Sequence, residues 1–202
     1  MKLVLPASLA MRLTRALRRA GVVETGGLLM GEQLAVDEFR IVELSRSRRG
    51  GSVVSFTRDL RHHRSKLERF FQNTGRDFNR FNYLGEWHSH PGFAVAPSGP
   101  DVAAMQAIVN DAAVGATFAV LLIVRLREDD VLEMGSYVFL PGKGMPHPVP
   151  LSLQPDEARR GLDILSRGGG QHGCQADKYV CAPATVVTAC EQMGLATKMG
   201  GP

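Results

Sequence analysis

The chain has 202 residues, of which 44% are hydrophobic and 22% charged, with a formal charge of +4. This is ordinary for one globular domain with a sizeable core, and the pI near 9.2 is a mild basic excess rather than the mark of a nucleic-acid binder. No stretch nears the ~18–20 apolar residues of a membrane span, and the apolar run over residues 1–6 is too short for a secretory signal, so neither membrane nor nucleic acid is expected as a partner and a reducing, cytoplasmic setting is expected.

Residues 6–20 read as an amphipathic helix. Leu9, Leu13, Ala16, Leu17 and Ala20 share one face, Arg12, Arg15, Arg18 and Arg19 lie mostly on the other, and Gly21 stops it. The apolar run 22–30 is too brief for a helix and is expected as a buried strand. Residues 36–44 make a second strand with imperfect alternation, and an Arg- and Gly-rich loop follows over 45–52. A third strand is expected over 52–56, and Thr57 is placed to cap a helix over about 58–73, with Leu60, Leu67, Phe70 and Phe71 inward. His62 and His63 sit among Arg58, Arg61 and Arg64, a setting that repels a metal cation, and are read as surface residues. A strand over 83–87 runs into the stretch that carries the chemistry. A helix over 98–113 follows, with Met105, Ile108 and Val109 on its apolar face. Residues 117–126, the most hydrophobic run, are expected as a central strand, and 131–140 as its hairpin partner.

Beyond Pro141 the character changes. Pro146, Pro148 and Pro150 are expected to interrupt regular structure, and the sheet is expected to be complete by Leu140. Short helices are expected over 155–166 and 185–198, on either side of a Gly168-Gly169-Gly170 linker. Cys174, Cys181 and Cys190 are odd in number, fit no zinc spacing, and read as reduced residues of a weakly packed tail. The order of elements indicates an α/β domain over 1–150, a single mixed curved sheet packed between helices, with 151–202 as a partly helical or flexible C-terminal extension.

In Glu86-Trp87-His88-Ser89-His90 the alternation of a strand points His88 and His90 to one face, about 6–7 Å apart at Cα, and Trp87 and Ser89 to the other. The chain then turns at Pro91-Gly92, and Ser98-Gly99-Pro100-Asp101 opens a helix. Ser98 and Asp101 fit a capping box, with Pro100 in the first turn. Asp101 can also supply a third, anionic ligand beside the two imidazoles. Two His and one carboxylate leave one position of a tetrahedral zinc for water, which is a catalytic rather than a structural pattern. Such a site suits metal-assisted hydrolysis: zinc lowers the pKa of its water toward about 7, and a carboxylate takes the proton and returns it to the leaving group. Glu86 and Glu24 are the two candidates for that carboxylate. Strand phase favours Glu86.

His-x-His-Pro, seven intervening residues after His90, and Ser-x-x-Asp resemble the signature of the JAMM (MPN+, JAB1-type) zinc metalloproteases. The upstream Glu24-Thr25-Gly26-Gly27-Leu28-Leu29-Met30-Gly31 resembles the same family's early strand, and Gly85-Glu86-Trp87-His88-Ser89-His90-Pro91 is most similar to its compact bacterial branch. The resemblance covers about residues 1–140. It implies a JAMM/MPN-like fold of cytidine-deaminase-like architecture over 1–150, and zinc held by His88, His90 and Asp101. It further implies Glu24 as general base and Ser98 as hydrogen-bond donor to the tetrahedral oxyanion; Glu86 is left to support the site or bind substrate. The implied reaction is hydrolysis of the bond after the C-terminal glycine of a ubiquitin-like protein, in processing or deconjugation, often beside E1-like and E2-like enzymes in bacterial antiviral defence. Two alternatives are a RadC-like protein of DNA metabolism and a non-catalytic MPN-type scaffold. The first is opposed by the modest charge and by the lack of a helix-hairpin-helix-like N-terminal region, the second by the filled ligand positions.

Overall fold

The computed structural model of the chain describes residues 1–46, 60–156 and 179–181, with 60–63 and 179–181 as backbone only. In chain order they form β1 (Lys2–Pro6), α1 (Ala7–Ala20), β2 (Gly26–Ala35), β3 (Glu38–Leu44), α2 (Leu60–Asn73), β4 (Phe81–Ser89), α3 (Gly99–Asn110), β5 (Ala119–Leu126), β6 (Leu132–Phe139), β7 (His147–Pro148), β8 (Leu151–Gln154) and β9 (Tyr179–Cys181). All nine strands belong to one mixed sheet, ordered β7-β6-β5-β4-β2-β3-β1-β8, with β9 also pairing β6. The α/β class and the single mixed sheet are as the sequence indicates.

β5 shows why the most apolar run in the chain lies inside. Val120, Leu122 and Val124 enter one core cluster, while Ala119, Leu121 and Ile123 enter the other, so both faces of the strand are covered. On the first face α1 lays Leu9, Leu13, Ala16 and Leu17 against Leu3, Leu29, Ile41 and Trp87. On the second, α3 packs Met105 and Val109 against Leu121, Ile123 and Phe139. Each fully buried Leu or Ile on these faces contributes roughly 1.5–3 kcal/mol of transfer free energy. The sheet bends where β2 changes register, between Leu29 and Met30 against β4 and between Met30 and Gly31 against β3.

Several boundaries differ from expectation. Val22 and Val23 are not strand residues: they are 91% and 52% exposed, in the loop between Gly21 and β2. β2 runs on to Ala35 instead, and the reversal at Val36-Asp37 starts β3 at Glu38. The helix after the His-x-His motif ends at Asn110 rather than near 113.

The sheet is not complete by Leu140. β8 begins at Leu151 and pairs parallel with β1, a strand unmarked by the sequence pattern, and β9 pairs parallel with β6 over Leu132 to Met134. The prolines do not prevent this. Pro148 lies in a two-residue strand on β6, and Pro150, which lacks an N–H, still accepts a 2.9 Å hydrogen bond from Leu3 N–H at its carbonyl. The expected strand 52–56, the Thr57 cap, the side chains of His62 and His63, the glycine linker and the helix 185–198 lie outside the described residues. So do Cys174, Cys190 and most of 155–166. No helix among the described residues is long and apolar enough to cross a membrane.

Candidate metal centre

β4 carries the first two groups of the site. Its pairing with β5 sets Glu86 beside Leu121 and His88 beside Ile123, so both point to the α3 side of the sheet. Trp87, beside Leu122, points to the α1 side, where it is 2% exposed and its indole N–H donates to Ser45 O at 2.8 Å. β2 passes very close behind. A Cβ at Gly26 would lie 2.5 Å from Trp87 O, and one at Gly27 would lie 2.1 Å from Ser45 O, which is why this part of β2 carries two glycines.

His88, His90 and Asp101 converge and are 8%, 7% and 3% exposed. The two Nε2 atoms stand 3.0 Å apart, His88 Nε2 lies 3.4 Å from Asp101 Oδ1, and His90 Nε2 lies 3.6 Å from Asp101 Oδ2. Donor atoms bound at ~2.0–2.1 Å around a tetrahedral zinc stand about 3.3–3.4 Å from one another. The three separations bracket that value, so the residues present fit the ion. His90 Nδ1 is 2.8 Å from Ala94 O. A carbonyl only accepts, so Nδ1 carries the hydrogen and Nε2 of the neutral ring keeps its lone pair for a metal.

Asp101 caps α3 and turns its other oxygen toward the His88 imidazole. Its Oδ2 accepts from Ser98 N–H at 2.8 Å and from the Ser98 hydroxyl at 2.6 Å, while its own N–H donates to Ser98 Oγ at 3.4 Å, closing the capping box. Its Oδ1 faces His88. Burial pushes the Asp101 carboxyl up, but hydrogen bonds with His88, His90 and Ser98 outweigh it and hold the group well below the usual carboxylate range. His90 is raised, first by its hydrogen bond with Asp101, against the opposing effect of burial.

Glu24 lies half-buried in the α1–β2 loop, one residue before β2's partner contact at Thr25, and its charge adds to the raising of His90. Glu86 is 7% exposed, and burial pushes its carboxyl up to about 7. Ser89 is fully buried on the α1 side of β4, as expected of a structural residue.

The loop between β4 and α3 is held by three successive carbonyls. Arg125 Nη1 donates to Phe93 O at 3.1 Å, His90 to Ala94 O, and the Tyr137 hydroxyl to Val95 O at 3.0 Å. Arg125 is itself paired with Glu133 at 2.6 Å. Neither Tyr137 nor Arg125 was marked in the sequence; each acts on a backbone oxygen and so leaves no residue pattern. Phe93, 67% exposed, meets the His90 ring edge-on at 6.3 Å between centroids.

A model of the family described as prokaryotic homologs of the JAB domain matches residues 6–139. A protein of Enterobacter hormaechei subsp. hoffmannii (strain UCI 50), named CD-NTase/cGAS isopeptidase, is 34% identical over 93 residues, 45% of this chain and 48% of that protein. The match thus spans about half the length of that curated relative. Among solved structures, a solution structure of a Desulfitobacterium hafniense protein superposes with a TM-score of 0.55 at 19% identity, over 76% of this chain and 94% of the other, a likeness of fold. A JAB1/MPN domain protein from Archaeoglobus fulgidus aligns at a TM-score of 0.37 and 14% identity, over 74% of this chain and 97% of the other.

Proposed function

This chain belongs to the family of prokaryotic JAB-domain homologs, and from that premise we propose that it is a zinc-dependent isopeptidase or peptidase cutting after the C-terminal glycine of a ubiquitin-like protein. The observation that carries the reading is the buried convergence of His88 Nε2, His90 Nε2 and Asp101 Oδ1, with the His90 tautomer fixed by Ala94 O. Zinc, when bound by these three residues, supplies a water of lowered pKa and an electrophile for the scissile carbonyl.

The remaining work falls to the chain's own side chains. We assign proton transfer to the Glu24 carboxylate, which takes the proton of the attacking water and delivers it to the leaving amine. The Ser98 hydroxyl donates to Asp101 Oδ2 in this structure, and we assign it to donate to the oxyanion of the tetrahedral intermediate, while Ser98 N–H keeps the cap. A donor of this kind is worth about 10²–10³ in rate. Glu86, its carboxyl raised to about 7, is assigned to supporting the site or binding the substrate amide. The Enterobacter relative's name supports an isopeptidase rather than a general protease. The corresponding partners are a ubiquitin-like protein, its conjugates, and E1-like and E2-like enzymes, in a cytoplasmic bacterial defence system.

The test is cleavage of a ubiquitin-like protein fused through its Gly-Gly terminus to a reporter, with zinc measured in the same preparation. One zinc per chain and cleavage at the glycine, both lost in His88→Ala, are expected. A protein that binds no zinc from zinc-containing buffer and cleaves nothing would be a scaffold. Zinc with wild-type turnover in Glu24→Gln would leave the metal assignment standing and remove the base.

A further inference from the structure

Arg12, Arg15 and Arg19 recur three and four residues apart and so share one face of α1. With Arg46, just past β3, they line a cavity of about 210 Å³, which Ser45 also lines and beneath which Leu13, Ala16, Leu44 and Trp87 are buried. It lies on the α1 side of the sheet, behind the strand whose other face presents His88.

Six other arginines have carboxylate partners: Arg18 with Asp130, Arg40 and Arg80 with Glu32, Arg125 with Glu133, Arg76 with Glu68 and Arg127 with Asp129; Arg64 and Arg69 on α2 have none among the described residues. In the cavity Arg12 donates to Leu44 O at 3.3 Å, and Arg15, Arg19 and Arg46 have no ion pair or hydrogen bond among the described residues. No carboxylate lines the cavity among those residues. The helix dipole favours Arg19 in the last turn of α1. It does not explain Arg12, Arg15 or Arg46. Four guanidinium groups around one small space repel one another until an anion enters, and carboxylates are the anions that a guanidinium fork grips in two places.

We propose that this cavity is a docking site for an acidic segment of a protein partner, one whose carboxylates meet Arg12, Arg15, Arg19 and Arg46. Its size decides the class of occupant. Pockets that enclose whole small molecules start at about 300 Å³, so this one takes one or two side chains of a longer chain. A nucleic-acid backbone is gripped along an extended stripe, which a cavity of this size does not offer. A partner held here leaves the His88 side of the sheet open.

The experiment is fluorescence anisotropy on the full chain with a labelled peptide alternating Glu and Leu. Equal-length Gln/Leu and Lys/Leu peptides and a single-stranded DNA oligonucleotide of matching charge are the controls. The acidic peptide is expected to bind best, to weaken as salt rises, and to lose at least tenfold in affinity in the Arg15→Glu, Arg19→Glu double variant, with zinc content unchanged. Should that variant fail to fold, Arg46→Glu changes the opposite rim without touching the helix and is expected to lose several-fold. Equal binding of the acidic and neutral peptides overturns the proposal, and so does undiminished binding by a folded charge-reversal variant. Tighter binding of the oligonucleotide makes the patch a nucleic-acid surface instead and equally overturns it.

Discussion

Ser89 and Thr25 exchange two hydrogen bonds across the seam between β4 and β2: Ser89 N–H donates to Thr25 O at 2.8 Å, and Thr25 N–H donates to Ser89 Oγ at 2.9 Å. Ser89 is fully buried. The pair fixes the residue just upstream, Glu24, relative to the residue just downstream, His90.

Ser89→Ala therefore separates positioning from ligation. It leaves Thr25 N–H buried without its acceptor, at a cost of about 1–3 kcal/mol, and lets Glu24 drift while His88, His90 and Asp101 are unaltered. Reduced kcat with one zinc retained per chain is the expected result, read from single-turnover cleavage and elemental analysis. Loss of zinc, or unchanged kcat in a destabilised protein, would show that the pair does not act on Glu24.

Asp101 combines a helix cap with a proposed metal ligand, and two substitutions divide the roles. Asp101→Asn keeps a side-chain oxygen for the Ser98 N–H; it should lose zinc affinity and leave the metal-free protein close to wild-type stability. Asp101→Ala should lose zinc and also melt lower, by the ~0.5–2 kcal/mol typical of a lost cap. Chelator-treated protein in thermal denaturation separates the two effects, and equal melting of both variants would contradict the division.

Glu32 is 2% exposed and held by Arg40 and Arg80. Burial raises its carboxyl, but the two guanidinium groups outweigh burial and leave it below its ordinary 4.5. A carboxyl lowered in the folded state adds stability that is present above about pH 4.5 and lost as pH falls through the folded value. The stability difference between wild type and Glu32→Gln should therefore hold steady from pH 7 to 5 and shrink below 4.5. Urea titrations of the metal-free proteins across that range measure it; a difference that grows toward acid pH reverses the sign and the argument.

Tyr137→Phe removes the hydroxyl that holds Val95 O, a hydrogen bond worth about 0.5–1.5 kcal/mol. The expected outcome is faster hydrogen exchange at the Ser98 amide, whose acceptor is Asp101 Oδ2, with the β5 amides unchanged. Unchanged exchange at Ser98 would mean that Arg125 and His90 hold the loop without Tyr137.

The parts of this molecule that were legible in the sequence are those whose partners are close along the chain. His88 and His90 are two residues apart on a strand, and Ser98 and Asp101 are three apart at a helix start, so alternation and capping place each pair without knowledge of the fold. β5 was legible because burial on both faces writes a continuous apolar run. β1 and β8 were not, since five and four residues carry little pattern and their pairing joins Leu3 to Leu151. Val22 and Val23 misled because an apolar residue on an exposed loop looks like the start of a strand. Arg125 and Tyr137 grip carbonyls 32 and 42 residues away, and any residue type can offer a carbonyl.

The parallel pairing of β1 with β8 also sets an order of events during synthesis. β1 can take its place beside β3 once residue 44 has been made, but its other edge stays bare until residues 151–154 emerge. Through that interval a nascent chain displays an unpaired strand containing Leu3 and Leu5, both fully buried in the finished fold. An edge of that kind invites pairing between chains. Products that stop before residue 151 should therefore accumulate as insoluble material even though every residue of the proposed catalytic group is present in them.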